Sequence, residues 1–188
     1  FKEITVRPNW VNIKSYSNLE NRHKKKLLCI GRLEEQKNFS SLFRVIKGLD
    51  LELDIIGEGS QKDSLSQLKN KLDLSVNFMK PMENSKLMGL YKEYSFFVLP
   101  SKFEGNPKVL LEAMSSGCIV IGNNIDSINE IIIDKKDGFI FDFESGTSDS
   151  FKSIINQELK ILQSISKAAH RKILKQNSLD IYLENEKN

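Results

Sequence analysis

Apolar residues along the chain fall in short runs, separated by longer stretches where they recur every three or four positions. The β-rich runs lie at 27–31, 53–57, 76–79, 96–100, 118–122 and 138–141, each the length of a buried strand. Their starts are 20 to 26 residues apart, enough for a strand, a helix and two loops. Helical periodicity fills the gaps at Phe39 to Leu49, Gln61 to Leu72, Ser85 to Tyr94 and Pro107 to Ser116, with a shorter piece at Ile128 to Ile133. Strands alternating with helices predict an α/β fold, a Rossmann-like three-layer sandwich. Its sheet would hold six parallel strands with helices on both faces and right-handed crossovers, and in the doubly wound pattern they would stand in the order 3-2-1-4-5-6. The units share no motif, so this is not a solenoid repeat.

Past Phe141 the pattern turns wholly helical. Phe151, Ile154, Ile155, Leu159, Leu162 and Ile165 step at three and four, a further helix is expected around Ala168 to Leu174, and Ser178 is placed to cap one carrying Ile181, Tyr182 and Leu183. Ahead of the first core run, Glu3-Ile4-Thr5-Val6 alternates like a short strand and Pro8 to Asn12 breaks it, while residues 13–25 read as a polar surface loop.

Composition narrows the class. The 188 residues suffice for one domain with its own core. A net charge of +3 is too mild for a nucleic-acid binder, and no apolar stretch approaches a membrane span. Arg22-His23-Lys24-Lys25-Lys26 is a dense basic run, read as a solvated patch, with an anionic membrane surface as the sharper alternative. Cys29 and Cys118 sit inside apolar runs and are expected to be buried free thiols, which suits a reducing, cytoplasmic setting. With His23 and His170, both expected at the surface, they offer no useful metal-ligand spacing. The chain starts at Phe1 in mid-pattern without an initiator methionine, as a fragment would.

The chemistry concentrates in Pro100-Ser101-Lys102-Phe103-Glu104-Gly105-Asn106-Pro107-Lys108-Val109-Leu110-Leu111-Glu112-Ala113-Met114. A strand ends at Pro100. Asn106 suits an N-cap and Pro107 the first helical position, and Gly117 is placed to end the helix. Gly105 lets a ligand approach the backbone, and unpaired N–H groups at a helix start favour an anion. Glu104 and Glu112 bracket that anion site and suit sugar hydroxyls, a combination that fits a sugar nucleotide.

This E-x7-E stretch resembles the signature of glycosyltransferase family 4, retaining enzymes of the two-domain GT-B fold. Gly31-Arg32-Leu33-x-x-x-Lys37-Asn38-Phe39 resembles the family's G-R-L…K segment, and Ile55-Ile56-Gly57-Glu58-Gly59, Asn129-Glu130-Ile131-Ile132 and Asp137-Gly138-Phe139-Ile140 fit other family pieces. Trp10, Lys80, Asp126 and Ser127 stand where the family usually has glycine. The resemblance implies that residues 1–13 are the remnant of an interdomain connection and 14–188 the C-terminal, donor-binding domain, the N-terminal domain being absent. It implies catalytic roles for Glu104, Arg32 and Lys37. Arg32 and Lys37 would hold the donor diphosphate, Glu112 the ribose, and the backbone N–H groups of Gly105, Asn106, Lys108 and Val109 the sugar and phosphate oxygens. The donor would be a UDP- or GDP-sugar, used without a metal or other cofactor. The acceptor would be a glycan or lipid-linked glycan met through the missing domain, with peripheral association at the inner membrane face compatible. The fold supplies a second line: in the order 3-2-1-4-5-6 the switch point lies between the strands ending at Gly31 and Pro100, so the two motif loops meet there.

Two other classes were weighed. A nicotinamide-dependent oxidoreductase needs G-x-G-x-x-G after the first strand, where this chain has Gly31-Arg32-Leu33-Glu34-Glu35-Gln36. A non-catalytic sugar-nucleotide-binding module would keep the same residues and stands as the alternative.

Overall fold

The computed structural model describes residues 9–11 and 16–179. Six strands form one all-parallel sheet, β1 (His23–Ile30), β2 (Glu52–Ile56), β3 (Ser75–Met79), β4 (Tyr94–Leu99), β5 (Ile119–Asn123) and β6 (Phe139–Phe141), in the order β3-β2-β1-β4-β5-β6. The predicted order is observed. Seven helices complete the described part: α1 (Phe39–Ile46), α2 (Lys62–Lys71), α3 (Asn84–Leu90), α4 (Lys108–Ser115), α5 (Asp126–Asn129), α6 (Ser148–Ile155) and α7 (Leu159–Gln176). The proposed strand at Glu3 to Val6 and the helix around Ile181 to Leu183 lie outside the described residues.

Because the sheet is covered on both faces, its central strands are apolar almost throughout. Leu27, Cys29, Phe96 and Val98 point into one core layer with Phe43 of α1 and Phe151 of α6. Leu28, Ile30, Phe97 and Leu99 point into the other, against Tyr91, Leu110 and Met114. Each such side chain contributes about 1.5–3 kcal/mol by leaving water. Helix α7 belongs to both layers, with Leu162 and Ile165 in the first and Ala169 and Ile173 in the second.

Several boundaries differ from the sequence expectation. Strand β1 begins at His23, inside the basic run, and reaches β4 through an irregular register between His23 and Leu27. Three exposed or half-exposed lysines occupy its first half, before the strand becomes buried at Leu27. Lys25 pairs with Asp50, and Lys26 lies 3.1 Å from Asp54 and 3.6 Å from Glu52. The short helix after β5 starts at Asp126 rather than Ile128. The apolar stepping from Phe151 to Ile165 is broken between α6 and α7, and α7 then runs unbroken through the region expected to hold a separate helix.

Arg22 is the clearest correction. It is only 5% exposed. Its guanidinium donates to five backbone carbonyls: Asn18 at 3.0 Å, Tyr91 at 3.3 Å, Tyr94 at 3.0 Å, Ser17 at 2.5 Å and Ser116 at 2.6 Å. Ser116 is the C-cap of α4, where a cation also meets the negative end of the helix dipole. Gly117 ends that helix as expected, in a left-handed conformation with φ of 83°. Its N–H reaches Met114 O, and that of Cys118 reaches Ala113 O, the paired bonds of a Schellman cap. His170, expected at the surface, is half-buried and bonds Ser115 O at 2.6 Å.

Candidate donor-nucleotide site

Strands β1 and β4 are neighbours whose following connections leave in opposite directions, which makes their C-terminal ends the switch point of the sheet, the usual ligand-binding place of such folds. The loop after β1 carries Gly31, Arg32 and a 3-10 turn over Glu35–Lys37. That after β4 carries residues 100–107. The two are laced together. Lys102 N donates to Gln36 O at 2.8 Å, Gln36 Nε2 to Phe103 O at 2.9 Å, and Lys102 Nζ reaches Glu35 at 3.0 Å. At the centre Lys37 Nζ meets Glu104 Oε1 at 2.5 Å, both side chains largely covered. The lysine stem lies across Gly31, 3.2 Å from where a Cβ would stand. Gly57 allows the β2 loop to press on the Gly31 carbonyl, where a side chain would collide with it.

Arg32 differs from Lys37. It is exposed, and its guanidinium makes no hydrogen bond or ion pair among the described residues.

The β4–α4 loop departs from the expected capping. Helix α4 starts at Lys108, with Pro107 as N-cap, and the Asn106 side chain caps nothing. Proline at 107 ends the extended segment, and its carbonyl accepts the first helical bond from Leu110 N at 2.9 Å. Asn106 O is instead held by Asn9 Nδ2 at 2.8 Å, and the Lys108 ammonium sits 5.2 Å from the centre of the Trp10 ring. Asn9 is tied in turn to the end of α7, its carbonyl accepting from Asn177 Nδ2 at 2.8 Å. A Cβ at Gly105 would meet nothing within 4 Å. The backbone N–H groups of Gly105, Asn106, Lys108 and Val109 donate to no protein acceptor among the described residues. Phe103, next to Glu104, is 63% exposed.

Glu112 lies one turn into α4, only 4% exposed. Its Oε1 accepts from Asn84 Nδ2 at 2.8 Å and its Oε2 from Tyr91 Oη at 3.2 Å. Burial and the adjacent Glu112 charge push the Tyr91 phenol well above its ordinary range, so Tyr91 stays a donor. The structure therefore brings Lys37 and Glu104 into contact and seats Glu112 on the neighbouring helix. Asn84, Tyr91 and Gln36 escaped the sequence reading. Asn84 gave one faint signal, a lone amide just after the β3 loop.

A doubly wound parallel sheet with polar loops joined at its switch point defines a large class of ligand-binding α/β domains. Residues 12–173 match the family model for glycosyl transferases group 1, and the chain belongs to that family. An uncharacterized glycosyltransferase of Haemophilus influenzae is 33% identical over 124 residues, 62% of this chain and 35% of that protein. The UDP-Gal:alpha-D-GlcNAc-diphosphoundecaprenol alpha-1,3-galactosyltransferase of Escherichia coli is 29% identical over 197 residues, covering 92% of this chain and 50% of that one. The chain thus spans half or less of the length of these relatives. Among solved structures, a mutant of S. aureus TarM in complex with Fondaparinux, alpha-GlcNAc-glycerol and UDP superposes with a TM-score of 0.84 at 20% identity, over 98% of this chain and 38% of that one. The fold is that of the GT-B glycosyltransferases. No helix among the described residues is long and apolar enough to cross a membrane.

Proposed function

We propose that this chain is the donor-binding part of a retaining glycosyltransferase, holding a nucleoside diphosphate sugar whose sugar passes to an acceptor hydroxyl. The observation that carries this reading is the meeting of the β1 and β4 loops through Lys37 and Glu104, beside an exposed Arg32 whose guanidinium makes no hydrogen bond or ion pair among the described residues. In it, Arg32 and Lys37 hold the diphosphate, Lys37 exchanging Glu104 for phosphate oxygens, and Glu104 turns to the hydroxyls of the donor sugar. The open N–H groups of Gly105, Asn106, Lys108 and Val109 face the sugar and phosphate oxygens, and Glu112 accepts from the ribose. As the leaving diphosphate gains charge, the two cations bound to it stabilise that charge, which lowers the barrier. The UDP of the S. aureus complex and the UDP-Gal in the E. coli enzyme's name make uridine the first base to try. An acceptor glycan, or a lipid-linked one, would be oriented by a second wall of the cleft, because transfer needs both partners held and water excluded.

Thermal-shift titration with UDP, GDP and their sugars tests the reading, since a ligand of the native state raises the melting point by mass action. A rise with at least one diphosphate, and none with free uridine or guanosine at the same concentration, is the expected result. No rise with any of them at millimolar concentration overturns it.

A further inference from the structure

We infer that Asn84 and Tyr91 are positioning residues that fix the Glu112 carboxylate in the orientation a ribose diol requires. This presupposes that Glu112 meets the ribose, as proposed above.

Glu112 is largely buried, its Oε1 side only partly so where Asn84 meets it, and no cation forms an ion pair with it among the described residues. An ionised carboxylate in that setting must be supplied with donors. It has two, both neutral, one on each oxygen, the Tyr91 hydroxyl being shared with the Val109 carbonyl at 3.3 Å. A carboxylate offers about four acceptor sites, so roughly one remains open on each oxygen. Two open acceptor sites on adjacent oxygens of a planar group match the two hydroxyls of a vicinal diol. A lysine or arginine in place of Asn84 would fill those sites and neutralise the charge. An amide and a phenol fix the plane of the group while leaving its charge free to act.

The supports are themselves anchored. Asn84 is the first residue of α3, directly after the loop that leaves β3. Tyr91 is fully buried, with its ring edge-on to Phe97 at 5.8 Å. Its carbonyl takes bonds from Arg22 at 3.3 Å and from Cys118 Sγ at 3.0 Å. Orientation is thus passed from the start of α3 and from the buried Tyr91 to one carboxylate, which lowers the entropic cost when ligand arrives. Asn84 is exposed, so its removal takes away a hydrogen bond without opening a core cavity.

Calorimetric titration with UDP and with 2′,3′-dideoxy-UDP, and in parallel with GDP and its dideoxy analogue, tests the assignment on the chain and on Asn84→Ala, Asn84→Asp, Tyr91→Phe and Glu112→Gln. Asn84→Ala and Tyr91→Phe should each weaken the ribonucleotide roughly three- to tenfold, the worth of one hydrogen bond, and leave the dideoxy analogue unchanged. Asn84→Asp, of the same shape but an acceptor, should weaken the ribonucleotide more than alanine does. Equal losses for both ligands, or none for either, overturn positioning. If Glu112→Gln discriminates between the ligands and Asn84→Ala does not, positioning fails alone. If Glu112→Gln treats them alike, or the unaltered chain binds no nucleotide, the ribose reading falls with it.

Discussion

Two arginines flank β1, ten residues apart, and they are opposites. Arg22, at the start of the strand, is buried with its guanidinium spent on five carbonyls. Arg32, past the strand's end, is exposed, makes no side-chain hydrogen bond or ion pair among the described residues, and acts on its neighbour Glu34 only as a nearby charge. Both residues carry the same charge and the same forked donors. What separates them is which end of a parallel sheet they occupy. At the N-terminal edge, chain segments cross under the sheet and leave carbonyls that need a donor. The C-terminal edge is where loops open into a crevice and leave a cation free for a ligand. An arginine saturated by backbone holds structure; an unsaturated one at the switch point is available for chemistry.

The comparison can be broken most directly at Arg22. Arg22→Ala leaves buried carbonyls without a donor and should cost about 3–5 kcal/mol of stability, read from urea denaturation. Arg22→Lys should recover only part of this, because an ammonium cannot span the same fork. A loss below about 1 kcal/mol would mean that water replaces the guanidinium, and the contrast with Arg32 would vanish.

Arg32→Ala should do the reverse. Stability stays within about 0.5 kcal/mol, while affinity for UDP, or for GDP if that is the base bound, falls roughly ten- to a hundredfold, the loss of a charge-assisted contact. Binding of the bare nucleoside is unaffected. Equal losses for diphosphate and nucleoside would remove Arg32 from the phosphate site.

The smallest effect sharpens the buried side of the contrast. Beside Arg22, the Cys118 thiol is pushed up to about 11 by burial, against the opposing pull of the guanidinium. Burial raises Cys29 further. A thiol whose folded value lies above its unfolded one keeps the folded state protonated while the unfolded chain ionises. Its contribution is therefore complete below the unfolded value near 9 and is lost as pH climbs towards 11. Stability should be flat through neutral pH, decline across that alkaline window, and decline less in Cys118→Ala. Neither thiol should react with Ellman's reagent until the chain unfolds.

What could be read from the sequence divides along the same line. The β–α rhythm shows six strands because each declares itself locally, by apolar runs of fixed length, whereas their order follows from the doubly wound pattern and not from any single run. Glu104, Lys37 and Arg32 stand out as candidates because their motifs are local, and the switch-point rule brings their two loops together, where the bond from Lys102 N to Gln36 O joins them. Arg22 was misread because a basic run looks solvated, and the carbonyls that bury it come from residues 17, 18, 91, 94 and 116. Asn84 and Tyr91 stayed hidden for a similar reason, since their bonds to Glu112 cross 28 and 21 residues. Asn106 looked like a cap by type and position, yet its carbonyl is occupied by Asn9 and the helix waits for Pro107 to begin.

The lacing of the β1 and β4 loops also bears on how fast the protein gains and loses its shape. Lys37 and Glu104 are 67 residues apart in sequence, so their contact closes only after β2, β3 and the helices between have been gathered in. Parallel strands joined this way pay loop closure before pairing rewards it. A nucleotide that needs both loops has nothing to grip in the chain as it folds and a complete seat once folding is over. It should act as a brake on unfolding and leave the refolding rate untouched. In stopped-flow experiments, saturating nucleotide is expected to move only the unfolding limb of the chevron, and faster refolding would show that the seam forms early.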